Sequence, residues 1–246
     1  LLHGIGAHTG RWNFFAEYFS QKGISCYALE LRGFGETAER PRGHLETFEI
    51  YYQDIKTMAA LIGRENPGKK AFLVGESLGG LLAFVLAARE PKLFDGLIFM
   101  SPAFKNAIKF PLIDYLIMLP ALLFNPQIML AVPFTSTMCT RDLAYRQVMD
   151  SNPLELRKAS VKYLLYIIVA QVQSAPLTKK IQGPVLFMLP GLDCMIDRSA
   201  SRKIFKALVT QDKTLIEYPD MFHALYIDLG REKVFADILR WLENHL

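Results

Sequence analysis

The sequence predicts an α/β fold, a mostly parallel sheet flanked by helices, carrying a helical insertion. Three observations predict it. Short apolar runs of strand length alternate with helical periodicities, the pattern of a parallel sheet covered on both faces. One such run enters Gly75-Glu76-Ser77-Leu78-Gly79, a G-x-S-x-G sequence that leads into an apolar run rich in small residues. Residues 103–180 then break the alternation between two core strands, as an insertion does. The 246 residues fit one α/β domain with such an insertion.

In chain order, Leu1-Leu2-His3-Gly4 reads as the end of a strand, so further N-terminal residues are expected ahead of it. Ser25 to Leu31 reads as a strand closed by the turn-rich Arg32-Gly33-Phe34-Gly35. Residues 46–63 have helical periodicity, and Asn66-Pro67-Gly68 ends that segment. Ala71 to Val74 is the strand entering the G-x-S-x-G turn, and Gly80 to Ala88 is the helix leaving it. Gly96 to Ser101 is a strand stopped by Pro102, Pro184 to Leu189 one stopped by Pro190-Gly191, and Thr214 to Tyr218 the last. Helical patterns fill 199–209 and 231–245. The division expected is a core of residues 1–102 and 181–246 with an apolar helical cap at 103–180.

Within the insertion, Phe110 to Phe134 is apolar enough to raise the question of a transmembrane helix. A span needs about 20 consecutive apolar residues. Asp114, Pro120, Asn125-Pro126, Gln127 and Pro133 divide this stretch into shorter pieces, so the reading is a packed cap whose apolar face lines an acyl-binding tunnel or rests on a membrane surface. The net charge of +4 is mild, and Lys and Arg are scattered without aromatic interleaving, which argues against nucleic acid. Cys26, Cys139 and Cys194 are too few and too widely spaced for a disulfide framework or a zinc site, and they suit a reducing, cytoplasmic setting. No metal or organic cofactor is expected. Oligomeric state is not encoded in any feature of the chain.

A strand–turn–helix around G-x-S-x-G lifts the serine hydroxyl above the sheet edge and aims a helix N-terminus at the place where an oxyanion forms. Ser77 is therefore the candidate nucleophile. It needs a histidine to take its proton and an acid to orient that histidine. His245 reads as a solvated residue of the last helix, and His8 and His44 as surface or hydrogen-bonding residues of polar turns. His223 follows the last strand and is the one histidine between the elbow and the final helix, where the chain order serine–acid–histidine wants the base. Pro190 to Asp197 offers two acids. Asp197 suits the N-cap of the next helix, which leaves Asp193 as the triad acid. The oxyanion hole combines the backbone N–H of Leu78 with that of Ile5, from the flexible loop after His3-Gly4.

These segments resemble the monoacylglycerol lipase and lysophospholipase-like α/β-hydrolase family. His3-Gly4-Ile5-Gly6-Ala7-His8-Thr9-Gly10-Arg11-Trp12 resembles its HGxGxHxGRY oxyanion loop, and Leu31 to Thr37 its D-x-x-G-x-G-x-S turn. Gly75 to Gly80 resembles the G-x-S-x-G-G elbow, Gly191 to Asp197 the G-x-x-D-x-x-x-D acid loop, and Tyr218 to His223 the Y-x-x-x-x-H base loop. Thr140-Arg141-Asp142 with Asp150 to Leu154 is similar to the family's R-D…D-P-L stretch. Leu31 and Thr37 depart from the Asp and Ser usual at the ends of the turn motif. The resemblance implies hydrolysis of a medium- or long-chain acyl ester, most simply a monoacylglycerol, through an acyl-enzyme. The substrate would be a small lipid ester, with peripheral membrane contact through the cap. The alternatives are a short-chain carboxylesterase, a lysophospholipase or an aminopeptidase of the same fold, and, from another class, a receptor-like ligand-binding module that keeps the triad. An aminopeptidase would need acidic groups to hold an ammonium, and those of the cap (Asp114, Asp142, Asp150, Glu155) form no cluster in sequence.

Overall fold

Glycine-rich backbone after His3 leads into a 3-10 turn at Thr9–Trp12 and the helix α1 (Asn13–Ser20). The structure, a computed structural model, describes residues 1–37 and 39–246. α1 was not marked by the sequence patterns: it is only 8 residues long, too short for a helical period to stand out. Phe15 and Phe19, one turn apart, are its buried face. They pack with Phe235 of the last helix.

The expected strand at Ser25–Leu31 is reduced to a single parallel bridge, Leu29 to Leu2, supported by Leu29 N–H donating to Leu1 O (3.1 Å). In the turn that follows, the Thr37 hydroxyl accepts from Gly33 N–H (2.9 Å) and donates to Phe34 O (2.7 Å). Thr37 thus performs the turn-closing work that a serine hydroxyl would.

Next come α2 (Glu49–Glu65), β1 (Phe72–Glu76), α3 (Leu78–Arg89) and β2 (Gly96–Met100), each within a few residues of its expected place. α3 is apolar all round, and Leu78 through Ala88 are buried. A helix with no polar face belongs inside the protein, and α3 packs against β1, β2 and the inserted segment.

The insertion contains α4 (Leu112–Phe124), β3 (Met129–Ala131), α5 (Ser136–Cys139), α6 (Leu143–Ser151), β4 (Lys158–Ser160) and α7 (Val161–Leu177). It is not wholly helical, because β3 and β4 form a two-stranded antiparallel ribbon. Asn125-Pro126 and Pro133 stop helix propagation and leave extended backbone between them. Pro120 does not end α4, which runs on to Phe124. Among the described residues, no helix is long and apolar enough to cross a membrane.

The chain ends with β5 (Val185–Pro190), α8 (Arg198–Ala207), β6 (Lys213–Tyr218) and α9 (Arg231–Glu243). The sheet order is β1-β2-β5-β6, every pair parallel, and Leu2 bridges to Gly75 on the outer side of β1. Glu76 pairs with Met100, Met100 with Met188 and Pro190 with Tyr218. The loops after all four strands therefore leave from one edge of the sheet, where open α/β folds place their ligands.

Candidate active site

Ser77 occupies the turn between β1 and α3 with φ 54° and ψ −116°, a conformation that non-glycine residues rarely adopt. The flanking glycines are required by close approach. A Cβ on Gly75 would lie 2.5 Å from Gly79 O, and one on Gly79 would lie 2.3 Å from Leu2 O. Ser77 N–H donates to Met100 O (3.0 Å), while its carbonyl accepts from Leu81 (3.1 Å) and Ala103 (3.0 Å). The strained residue is thus held by a neighbouring strand, its own helix and the loop after β2.

Leu78, the first residue of α3, has an N–H that a helix cannot satisfy internally. Neither its N–H nor that of Ile5 enters a hydrogen bond among the described residues. The loop carrying Ile5 lies against the elbow, since a Cβ on Gly4 would come within 3.1 Å of Ser77 Cβ. His3 fixes this loop from beneath. Its Nδ1–H donates to Gly4 O (2.8 Å), and its Nε2 accepts from Leu31 N–H (3.1 Å).

The loops after β5 and β6 bring Asp193 and His223 together. His223 Nδ1–H donates to Asp193 Oδ2 (2.8 Å), and both side chains are buried. This bond leaves Nε2 as the basic nitrogen. Nε2 has no hydrogen-bond partner among the described residues, so a Ser77–His223 bond is not formed here. Such bonds are often loose until substrate arrives. Burial alone would depress the His223 imidazole, but the charge and hydrogen bond of Asp193, with Glu76 behind them, outweigh it and hold the ring above its ordinary pKa.

Asp197 stands apart from this pair. Its Oδ1 accepts from Ser199 N–H (2.9 Å) as the N-cap of α8, and its Oδ2 pairs with Lys105 Nζ (2.9 Å). The Ser199 hydrogen bonds and Lys105 keep its carboxyl well below the usual range. The other histidines are structural. His8 Nδ1 accepts from Gly10 N–H (3.2 Å) and His44 Nδ1 meets Ser160 Oγ (2.8 Å), both as buried hydrogen-bonding residues and neither as a surface one. His245 is half-buried rather than solvated, its ring tilted against Trp241 with centroids 4.2 Å apart and paired with Asp212.

Three further residues contact His223 or its loop and escaped the sequence reading. Ser101 has φ 45° at the end of β2, and its hydroxyl donates to His223 O (2.6 Å). Asp228, fully buried, accepts from Phe222 N–H (2.8 Å) on one side and from Thr140 Oγ1 (3.1 Å) and Arg141 N–H (2.6 Å) on the other. Glu76, the second residue of the elbow, turns its carboxylate inward, with Oε1 3.3 Å from His223 Nε2. Their partners lie far away in sequence, and no local pattern marks them. Among the described residues, no group of His, Cys, Asp and Glu is placed to hold a metal ion.

The arrangement is a strained serine turn beside an imidazole–carboxylate pair, and the chain as a whole is similar to known proteins. The profile of Hydrolase_4, described as serine aminopeptidase, S33, matches residues 1–230. Human monoglyceride lipase is 26% identical over 253 residues, covering 99% of this chain and 81% of that protein. Phospholipase YtpA of Bacillus subtilis is 26% identical over 250 residues, covering 100% and 95%. The crystal structure of the monoacylglycerol lipase of Paleococcus ferrophilus superposes with a TM-score of 0.90 at 25% identity, covering 100% of this chain and 93% of that one.

Proposed function

Because the chain belongs to the Hydrolase_4 family of α/β-hydrolases, we propose that it cleaves monoacylglycerols or similar medium- and long-chain acyl esters through an acyl-enzyme on Ser77. The observation that carries this reading is the buried His223–Asp193 hydrogen bond beside the strained Ser77 turn. Ser77 Oγ attacks the ester carbonyl as its proton passes to His223 Nε2. Asp193 stabilises the imidazolium, and general-base assistance of this kind contributes about 10²–10⁴-fold. The Leu78 and Ile5 N–H groups receive the developing oxyanion, each such donor contributing roughly 10²–10³-fold. Collapse breaks the ester C–O bond, and His223 returns the proton to the departing glycerol oxygen. Water then repeats the sequence on the acyl-enzyme.

The relatives named monoglyceride and monoacylglycerol lipase support the substrate class. Charge pairing in the cap weighs against an aminopeptidase. Asp142 pairs with Arg231, Asp150 with Arg157 and Glu155 with Arg11, so three of the four cap carboxylates that an aminopeptidase could use to hold a substrate ammonium already have cations. Residues 103–180 act in this reading as the cap over a core of 1–102 and 181–246. The apolar α4 surface supports peripheral contact with lipid, and three free cysteines support a reducing, cytoplasmic setting.

Two experiments test this reading. Ser77→Ala should abolish both turnover of acyl esters and labelling by a fluorophosphonate, and persistent labelling would remove Ser77 as nucleophile. An initial-rate panel should run from acetyl to oleoyl glycerol and include a lysophospholipid and an aminoacyl arylamide. The longer monoacylglycerols should turn over fastest. Preference for the acetyl ester, the lysophospholipid or the arylamide would assign a different substrate.

A further inference from the structure

Glu76 is a buried carboxylate that the hydrolytic scheme above does not use. It is 2% exposed, and its Oε1 lies 3.3 Å from His223 Nε2, on the opposite side of the ring from Asp193. Its Oε2 has no hydrogen-bond partner among the described residues. A buried carboxylate usually recruits hydrogen-bond donors or a cation, and here the group set against it is an imidazole. The loop after His3 makes room for the pair. A Cβ on Gly4 would lie 2.5 Å from Glu76 Oε2, so only glycine at that position lets the carboxylate keep its place.

From this geometry, and resting on the assignment of His223 as the base, we infer that Glu76 is a second carboxylate partner of His223, a positioning residue that steadies the imidazolium formed when Ser77 gives up its proton. The imidazole would then sit between two carboxylates, Asp193 at Nδ1 and Glu76 at Nε2. Burial holds the Glu76 carboxyl above its ordinary value; His223, Arg11 and His3 draw it down only in part, and Asp193 opposes them. Cys139 from the insertion and Tyr226 beyond the base loop also lie within its field. Arg11 is a permanent cation acting on Glu76, and Glu155 engages it directly (2.6 Å). Neutralisation of Glu76 therefore falls largely to His223.

The sign of the effect follows. His223 must be neutral to accept the serine proton. An anion beside Nε2 favours the protonated ring, so activity in acid fails at a higher pH than it would without Glu76. It also favours the transition state in which the ring becomes charged. Glu76→Gln keeps the shape and removes the charge.

The test is kcat/KM against pH for the wild-type and Glu76→Gln proteins, with the His223 ring titrated by NMR in both. The acid limb and the NMR midpoint should move together to lower pH by about one unit, and kcat on the plateau should fall while KM changes little. An unmoved limb and midpoint would overturn the inference. Ser77→Ala and His223→Ala are measured alongside. Turnover surviving in either would sink the serine-hydrolase reading itself, whereas inactive controls with an unmoved Glu76→Gln profile would sink only the role of Glu76. If Glu76→Gln does not fold by circular dichroism, a shorter carboxylate decides. Glu76→Asp, which keeps the charge but draws it back from Nε2, is then titrated in its place: a midpoint below that of the wild type supports the inference, and an unmoved midpoint refutes it.

Discussion

Asp193 Oδ1 accepts the backbone N–H groups of Met195 (2.8 Å) and Ile196 (3.1 Å), which fixes the carboxylate and leaves Oδ2 for His223. Asp197, four residues on, spends its oxygens on a helix N-cap and a lysine. Their substitutions should therefore separate cleanly. Asp193→Asn would present an amide to Nδ1 and favour the wrong tautomer, for a loss of about 10⁴-fold in kcat with little change in folding. Asp197→Asn retains a capping oxygen but loses the lysine pairing. Asp197→Ala loses the cap and should cost about 1 kcal/mol, a fall of about 2–4 °C in Tm, with kcat retained. Steady-state kinetics and calorimetry on the variants check both, and the reverse pattern would exchange the two roles. This distinction was legible in the sequence because an N-cap has a local signature and a serine–acid–histidine order has a global one. Glu76, Ser101 and Asp228 were illegible for the opposite reason. Glu76 meets His223, Ser101 holds its carbonyl, and Asp228 joins the base loop to residues 140 and 141, each across a separation that only the folded chain closes.

At the scale of elements, β1, β2, β5 and β6 and the helices α2, α3, α8 and α9 fell within a few residues of where periodicity put them, because buried strands read as continuous apolar runs, whereas the strand expected at Ser25–Leu31 did not form beyond one bridge. The insertion was legible only as apolar. The structure divides it into α4, with its outer surface uncovered, and α7, which packs against the core helix α3. Leu112 (77%), Leu123 (76%) and Phe124 (86%) are among the most exposed large apolar side chains, and Ile113, Leu116 and Leu119 continue the patch along α4. A contiguous apolar surface of this kind marks a contact site. A helix presenting it can lie in a lipid interface without crossing it. Leu116→Glu combined with Leu119→Glu should weaken co-sedimentation with phosphatidylcholine vesicles by at least about tenfold, given roughly 1.5–3 kcal/mol for each leucine withdrawn from water. Turnover of a water-soluble short-chain ester should be unaffected. Equal vesicle binding by the variant and the wild type would remove α4 as the contact.

For the molecule as a whole, the inserted segment proposed as the cap is joined to the rest at the loops carrying Ile5 and His223, the two places where the proposed catalysis needs precision. Leu156 N–H donates to Gly6 O (2.9 Å), and Ala224 N–H donates to Cys139 O (2.9 Å). Between these stitches, Arg11 donates through Nε to Glu155 Oε1 (2.6 Å), and each side chain is only 5% exposed. Residues 144 positions apart in sequence form this pair. The sequence therefore showed a scattered arginine and a scattered glutamate, although Arg11 lay in a recognised motif. A buried ion pair gains little over apolar replacements of the same size, because desolvation offsets most of the attraction, but leaving one partner alone is costly. Arg11→Met or Glu155→Met should each destabilise the protein by about 3–5 kcal/mol, lowering Tm by on the order of 10 °C. The double variant removes both charges together and should recover most of that loss. The coupling read from such a cycle is the direct measure of how tightly cap and core are joined at this point. If the two single losses simply added in the double variant, Arg11 and Glu155 would be acting independently, and the attachment of the cap would rest on the backbone stitches and on Asp228.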